Sequence, residues 1–153
     1  MQCEQQPRRR HGGAGAAACG RTLAGSRVVK AFNNIDWIRL ACSPRPPGAA
    51  DRCALPIASD DAAAARAVTE LLDALGYDAV STGPLSQSWR SEPGTPVYVN
   101  PYLPPRPAGT EGASTAAEWF TAPVGTPVGA GQVAELVRSA QRQRPADARE
   151  RLS

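Results

Sequence analysis

Histidine and lysine are nearly missing from this chain, which holds one of each, His11 and Lys30, in 153 residues. A single imidazole excludes a Ser-His-Asp set and leaves no histidine cluster for a metal. Aromatic residues make up only 5% of the sequence against 15 prolines and 14 glycines, so a small core with long irregular edges is expected. No apolar run approaches the ~20 residues of a membrane helix, and no apolar stretch follows the N-terminal arginines as it would in a signal peptide. The expectation is a cytoplasmic protein with no membrane partner. The four cysteines, Cys3, Cys19, Cys42 and Cys53, are separated by 16, 23 and 11 positions, without a C-x-x-C pair. That spacing argues against zinc and for free thiols in a reducing compartment, although Cys42 and Cys53 flank a proline-rich loop and could approach each other.

What is present is most regular between Ala54 and Val80. Ala54-Leu55-Pro56-Ile57-Ala58-Ser59 reads as a strand, residues 62–75 as a helix, and Tyr77-Asp78-Ala79-Val80 as a second strand. Ser59, Asp60 and Asp61 supply oxygens and negative charge where a helix start leaves N–H groups unpaired, and Gly76 stands where left-handed geometry closes a helix. Ala64, Val68, Leu71, Leu72 and Leu75 fall on one stripe, which is expected to pack on the sheet. Asp60 and Asp61 are therefore read as helix-start charges, not as an acid/base pair.

Before this unit, residues 27–35 read as a strand with Val28, Val29, Ala31 and Phe32 apolar, ending in Asn33-Asn34-Ile35. A polar pair at the carboxyl end of a strand lies where open α/β sheets bind ligands, although two asparagines also make an ordinary turn. Asp36 to Cys42 reads as a short helix and residues 43–48 as an exposed loop. After Leu85, residues 95–102 read as an extended covering segment whose aromatics could line a ring-shaped ligand, 103–112 as a linker, 114–120 as a helix opened by Ser114, and 132–143 as an amphipathic helix presenting Val133, Leu136, Val137 and Ala140.

The net charge of +3 rests on 16 arginines, much of the excess lying in Arg8-Arg9-Arg10 and the last dozen residues. Basic tails without a basic, aromatic-interleaved face argue against nucleic acid as a partner. Gly13 and Gly15 give a partial dinucleotide loop, but Ala18 replaces the third glycine and no strand precedes it.

Several of these stretches carry a resemblance. Val28-Val29-Lys30-Ala31-Phe32-Asn33-Asn34-Ile35, Ala54-Leu55-Pro56-Ile57-Ala58-Ser59-Asp60-Asp61, Gly76-Tyr77-Asp78-Ala79-Val80 and Gly83-Pro84-Leu85 resemble, in order and spacing, the carboxyl-terminal half of NADPH-dependent coenzyme F420 reductases, the NADP oxidoreductase family. The likeness covers about residues 21–142, with Ser59 at a position usually glycine and Ser81-Thr82 where Asp-Ala usually precedes Gly-Pro-Leu. It implies an incomplete Rossmann-type α/β sheet with peripheral helices, and hydride transfer between NADP and coenzyme F420 or another flavin-like acceptor, chemistry the cofactors carry while the protein aligns them.

By the same resemblance Asn33, Asn34 and Ile35 match the turn beside the reacting rings and are the expected cofactor-binding residues; no catalytic or metal-ligating residue is expected. Family members begin with a Gly-rich phosphate loop and further β-α units that this sequence does not contain, which implies a truncated or mis-started member with reduced or no activity. The expected organisation is a tail over 1–26, a truncated Rossmann-type half-domain over 27–90, a covering segment with helices over 91–143, and a tail over 144–153. The alternative is a non-catalytic fragment or interaction module that self-associates as a homo-oligomer through an exposed sheet edge.

Overall fold

A computed structural model describes residues 25–109 and 112–142. The expected tails, with Cys3, His11, Cys19 and the Gly13-Ala14-Gly15 stretch, lie outside those residues except for Gly25 and Ser26. The described part is mixed α/β. Its elements are β1 (Val29–Lys30), α1 (Trp37–Cys42), β2 (Ala54–Ser59), α2 (Ala62–Ala74), β3 (Asp78–Ser81), 3-10 turns at Leu85–Ser91 and Asn100–Tyr102, α3 (Ala113–Thr121) and α4 (Ala130–Ser139). Among the described residues no helix is long and apolar enough to cross a membrane.

The sheet has three strands in the order β1-β2-β3; β2 and β3 run parallel around α2, while β1 is antiparallel to β2. Residues 54–58 of β2 are all buried, so both faces of the central strand are covered, and α2 and α4 both pack on it. The core gathers Leu55, Ile57, Leu72, Tyr77, Val97, Tyr102, Val128, Val133 and Val137, drawing on segments from either side of residue 91.

The helix signals around α2 act as expected. Asp61 is the N-cap and accepts from Ala64 N at 2.8 Å, while Gly76 follows the C-cap at φ +90°. Gly76 is also demanded by space, because a Cβ there would lie 2.8 Å from Pro44 Cβ and 2.9 Å from the backbone nitrogen of Arg45. The Ala64 hydrogen bond, with Arg27 nearby, holds the Asp61 carboxyl below its ordinary value despite some desolvation. A carboxylate whose folded pKa is depressed stabilises above its unfolded value, about 3.9, and that contribution disappears as pH falls through the folded value. Asp61→Asn should therefore lower the thermal midpoint at neutral pH and flatten the midpoint's fall on acidification; acid curves that superimpose on those of the parent would refute the assignment.

Five expectations require correction. Strand β1 covers two residues, not 27–35. Its register places Lys30 opposite Ala58, so continuation would set Phe32 opposite Pro56, which has no N–H to offer on that side. The ladder stops there, and Phe32 turns the chain at φ +60°. On α2 the line that packs on the core is Leu72, fully buried, with Ala65 and Val68 partly buried, whereas Leu71 and Leu75 remain 48% and 46% exposed. A helix over so narrow a sheet is covered along one line of its apolar stripe. Residues 95–102 are turns and 3-10 helix, not extended chain. Finally, α3 is capped by Gly112 without a side-chain hydrogen bond, so Ser114 is not its cap, and α4 runs from Ala130 to Ser139 with Val133 and Val137 buried.

Candidate functional site

The turn after β1 leads into a cleft of about 780 Å3 walled by Ile35, Asp36, Tyr98, Val99, Asn100 and Phe120. Three segments distant in sequence meet here, each held by identifiable bonds. Val99 N donates to Asn34 O at 2.8 Å, docking residues 97–102 against the turn. Asp36 caps α1, its Oδ1 accepting from Ile38 N at 3.0 Å and Arg39 N at 3.1 Å. The fully buried Arg39 donates to Val124 O, Phe120 O and Asp36 Oδ1, with its guanidinium 5.2 Å from the Phe120 ring centroid. Arg39 therefore fixes the aromatic wall relative to the turn.

Two local features set this cleft apart from an ordinary surface dent. Val99 has φ +53° and ψ −58°, and Asn100 N donates to Tyr98 O at 2.6 Å, closing a γ-turn that is costly for a β-branched residue. Asp36 Oδ2 is buried without a hydrogen-bond partner. Tyr98 and Phe120 make this a concave site with two aromatic side chains, which can hold a flat ring; the unpartnered Asp36 Oδ2 is buried beneath its wall.

The three residues expected at the site have different fates. Ile35 lines the cleft. Asn33 is exposed, its Nδ2 donating to Ser91 O at 3.0 Å and its Oδ1 left to solvent or a ligand. Asn34 is fully buried behind the cleft, where Nδ2 donates to Tyr102 OH at 2.8 Å and to Val97 O at 3.4 Å. Tyr102 OH in turn donates to Ala54 O at 2.9 Å. Burial pushes the Tyr102 phenol far above its ordinary pKa, so it remains a neutral donor. Asn34 thus holds the site from behind and does not face a ligand.

The turn also stands at a different end of the sheet from the one expected. Because β1 is antiparallel, Asn33 to Ile35 lie beside the amino end of β2, as the Asn34-Tyr102-Ala54 chain makes plain. The carboxyl ends of the parallel pair, at Ser59 and Ser81, are at the far edge. The helix start there is occupied by carboxylates: Asp61 caps α2, and Asp60 Oδ1 accepts from Leu85 N at 3.0 Å. A pyrophosphate would meet two negative charges at that helix N-terminus, so these residues do not suit one.

Sequence reasoning missed Asp36 and Phe120 as cleft residues; of the aromatics it flagged, Tyr98 lines the cleft and Tyr102 is core. Cys42 and Cys53, both free thiols, share a separate cavity of about 150 Å3, with burial raising the Cys53 thiol pKa. Among the described residues no three His, Cys, Asp or Glu side chains gather as metal ligands would.

Comparison with known proteins adds one partial likeness. No family model matches the chain, and no solved structure matches it. The Escherichia coli (strain K12) protein YjhV is 38% identical over 53 residues, which are 35% of this chain and 39% of that protein. The chain therefore matches about two fifths of that relative's length, and the relative's name states no activity; the chain is similar to YjhV over this stretch, and no family follows from it.

Proposed function

We propose that the chain is a member of the NADP–coenzyme F420 oxidoreductase family with reduced activity or none, and that its cleft receives a flat heteroaromatic ring, a nicotinamide or a deazaflavin. The observation that carries the reading is the cleft itself, opening at Ile35 directly after the Asn33-Asn34 turn, with Tyr98 and Phe120 in its walls. A dihydronicotinamide, when bound, supplies a hydride, which a deazaflavin accepts together with one proton from water. The chain's own residues perform no proton transfer. Ile35 and the aromatic side chains exclude water and orient the ring, while the exposed Asn33, bonded to Ser91 O, lies outside the cleft lining in the turn that leads to Ile35. Nothing in the described β-α junction suits a pyrophosphate, which supports the low-activity form of the reading.

The test is to titrate the protein with NADPH and with a 5-deazaflavin, separately and together, following binding and loss of NADPH absorbance. Saturable binding of at least one ring compound is expected. Tyr98→Leu removes an aromatic wall worth about 1 kcal/mol, roughly a fivefold loss of affinity, and Asn33→Ala has a smaller effect in the same direction. Neither compound binding a folded sample, or equal affinities in both variants, would dispose of the reading.

A second reading is favoured by Leu71 and Leu75, which leave an apolar strip on α2 beside a three-stranded sheet with open edges. On this reading the chain is a non-catalytic module that self-associates. Sedimentation would then show a concentration-dependent dimer, dispersed by Leu71→Lys, in a protein indifferent to both ring compounds.

A further inference from the structure

We propose that a second groove, at the carboxyl end of β3, binds a small organic phosphate of nucleoside monophosphate size. It has a volume of about 450 Å3, with Val80 and Val137 at its apolar base, Ser81 and Thr82 on one side, and Arg90 and Arg138 among its walls. Ligands of open α/β sheets lie beyond the carboxyl ends of parallel strands. This groove has that position and the Asn33 turn does not.

Its charge is one-sided: two guanidiniums and no carboxylate line it. Arg90 is held in place before any ligand arrives. Its Nε donates to Gln87 Oε1 at 3.0 Å, and its Nη1 donates to Val137 O at 3.2 Å and Ala140 O at 3.3 Å. The guanidinium lies 4.6 Å from the Trp89 ring centroid, and Arg142 lies 5.1 Å from the same ring. Arg90 Nη2 makes no hydrogen bond among the described residues. Because Arg90 takes the last carbonyls of α4, the negative end of that helix is masked from the groove. Arg138 is 68% exposed and pairs with Glu135 on its own helix at 2.6 Å. An exposed i,i+3 pair of this kind is weak and yields to a dianion, and a guanidinium fork matches phosphate oxygens. The Ser81 hydroxyl, which accepts from Gly83 N at 3.2 Å and keeps its own proton, extends the polar rim, while the Thr82 hydroxyl is spent on Ile57 O at 3.0 Å and the valines accept an apolar body. Phosphate recognition with a partly apolar ligand body follows from this combination.

The inference does not rest on the ring-binding cleft, whose residues are distinct from those of this groove. Isothermal titration of the full chain with adenosine 5′-monophosphate is expected to show one saturable site that weakens as salt is raised. Arg138→Ala, which removes a side chain without interior contacts, should weaken binding roughly tenfold, and adenosine should bind more weakly than its monophosphate by at least that factor. Asn33→Ala and Tyr98→Leu should leave this affinity unchanged. No saturable binding by a folded sample, equal affinity in Arg138→Ala, or adenosine binding as tightly as the monophosphate would each overturn the proposal.

Discussion

Replacing Arg52 with alanine should lower the thermal midpoint by more than roughly 10 °C, the largest effect expected of any single polar substitution here. The side chain is 2% exposed and joins three stretches of backbone. Nη1 donates to Arg45 O at 3.0 Å; Nη2 donates to Asp73 Oδ1 at 2.6 Å, Tyr77 O at 2.9 Å and Asp73 O at 3.2 Å. Nε lies 2.8 Å from Asp78 Oδ1, close enough for ion pairing though without hydrogen-bond geometry. Alanine would leave Arg45 O and Tyr77 O without the guanidinium donor, whereas Asp73 O keeps Gly76 N at 3.0 Å, and would open a void where the guanidinium lay. Asp73 and Asp78, 61% and 47% exposed, remain solvated after the change, so the cost of about 3 kcal/mol comes from the lost packing and the carbonyl bonds, against a total stability of ~5–15 kcal/mol for a domain.

Lysine would not restore Arg52, because one ammonium cannot satisfy acceptors spread around a planar fork. The control is Arg45, whose exposed pair with Asp51 at 2.6 Å should barely move the midpoint when it is replaced by alanine. Urea titrations should show a reduced midpoint concentration with an unchanged slope for Arg52→Ala. A midpoint within experimental error of the parent would mean that water replaces the guanidinium, and that the network is not what joins the loop to the sheet.

Asn34→Leu should cost about 2–4 kcal/mol. The orientation of this amide follows from proton counting. Tyr102 has one hydroxyl hydrogen, which it donates to Ala54 O, so the Asn34 atom facing its oxygen must be the Nδ2 donor. Leucine keeps the bulk but leaves the Val97 carbonyl and the Tyr102 oxygen without that donor. Tyr102→Phe should cost less, about 1–2 kcal/mol, and the double variant should cost less than both singles together, since each already breaks the same chain.

Asn34→Asp is the sharper test. A carboxyl buried here would have a raised pKa, so this variant should be most stable in mild acid and lose stability as pH rises through its ionisation. Strict additivity in the double variant, or an aspartate variant indifferent to pH, would place Asn34 outside the bonded chain. Because Asn34 supports the ring cleft from behind, its substitution is expected to harm binding only through folding, whereas Asn33→Ala removes an exposed turn side chain from a folded protein.

Local signals sufficed for the β2-α2-β3 unit, because every determinant of it lies within thirty residues: Asp61 at one helix end, Gly76 at the other, apolar runs on both sides. They sufficed also for the Asp36-capped α1 and for the apolar face of α4. They did not suffice for β1. Its apolar run is as good as that of β2, but its length is limited by Pro56 on the neighbouring strand, and a strand's pairing partner is not written in its own residues. The α2 stripe misled for a related reason. Periodicity tells which residues share a face, and the width of the sheet beneath decides how many of them are covered.

The candidate site divides in the same way. Asn33, Asn34 and Ile35 are recognisable as a polar turn in the sequence, and they do stand beside the larger cleft. Which of them faces a ligand is a tertiary matter, decided by Tyr102 arriving from 68 positions away to bond Asn34. So too with Phe120, placed by the buried Arg39, and with the groove of Arg90 and Arg138, which exists only because α4 returns to the carboxyl end of β3. What the sequence by itself determined was the β-α-β unit, its caps and the turn, through short-range hydrogen bonding and periodicity. Only the tertiary structure decided strand direction, the extent of β1 and the membership of both sites, because those depend on which distant backbone groups remain unpaired and which side chains arrive to satisfy them.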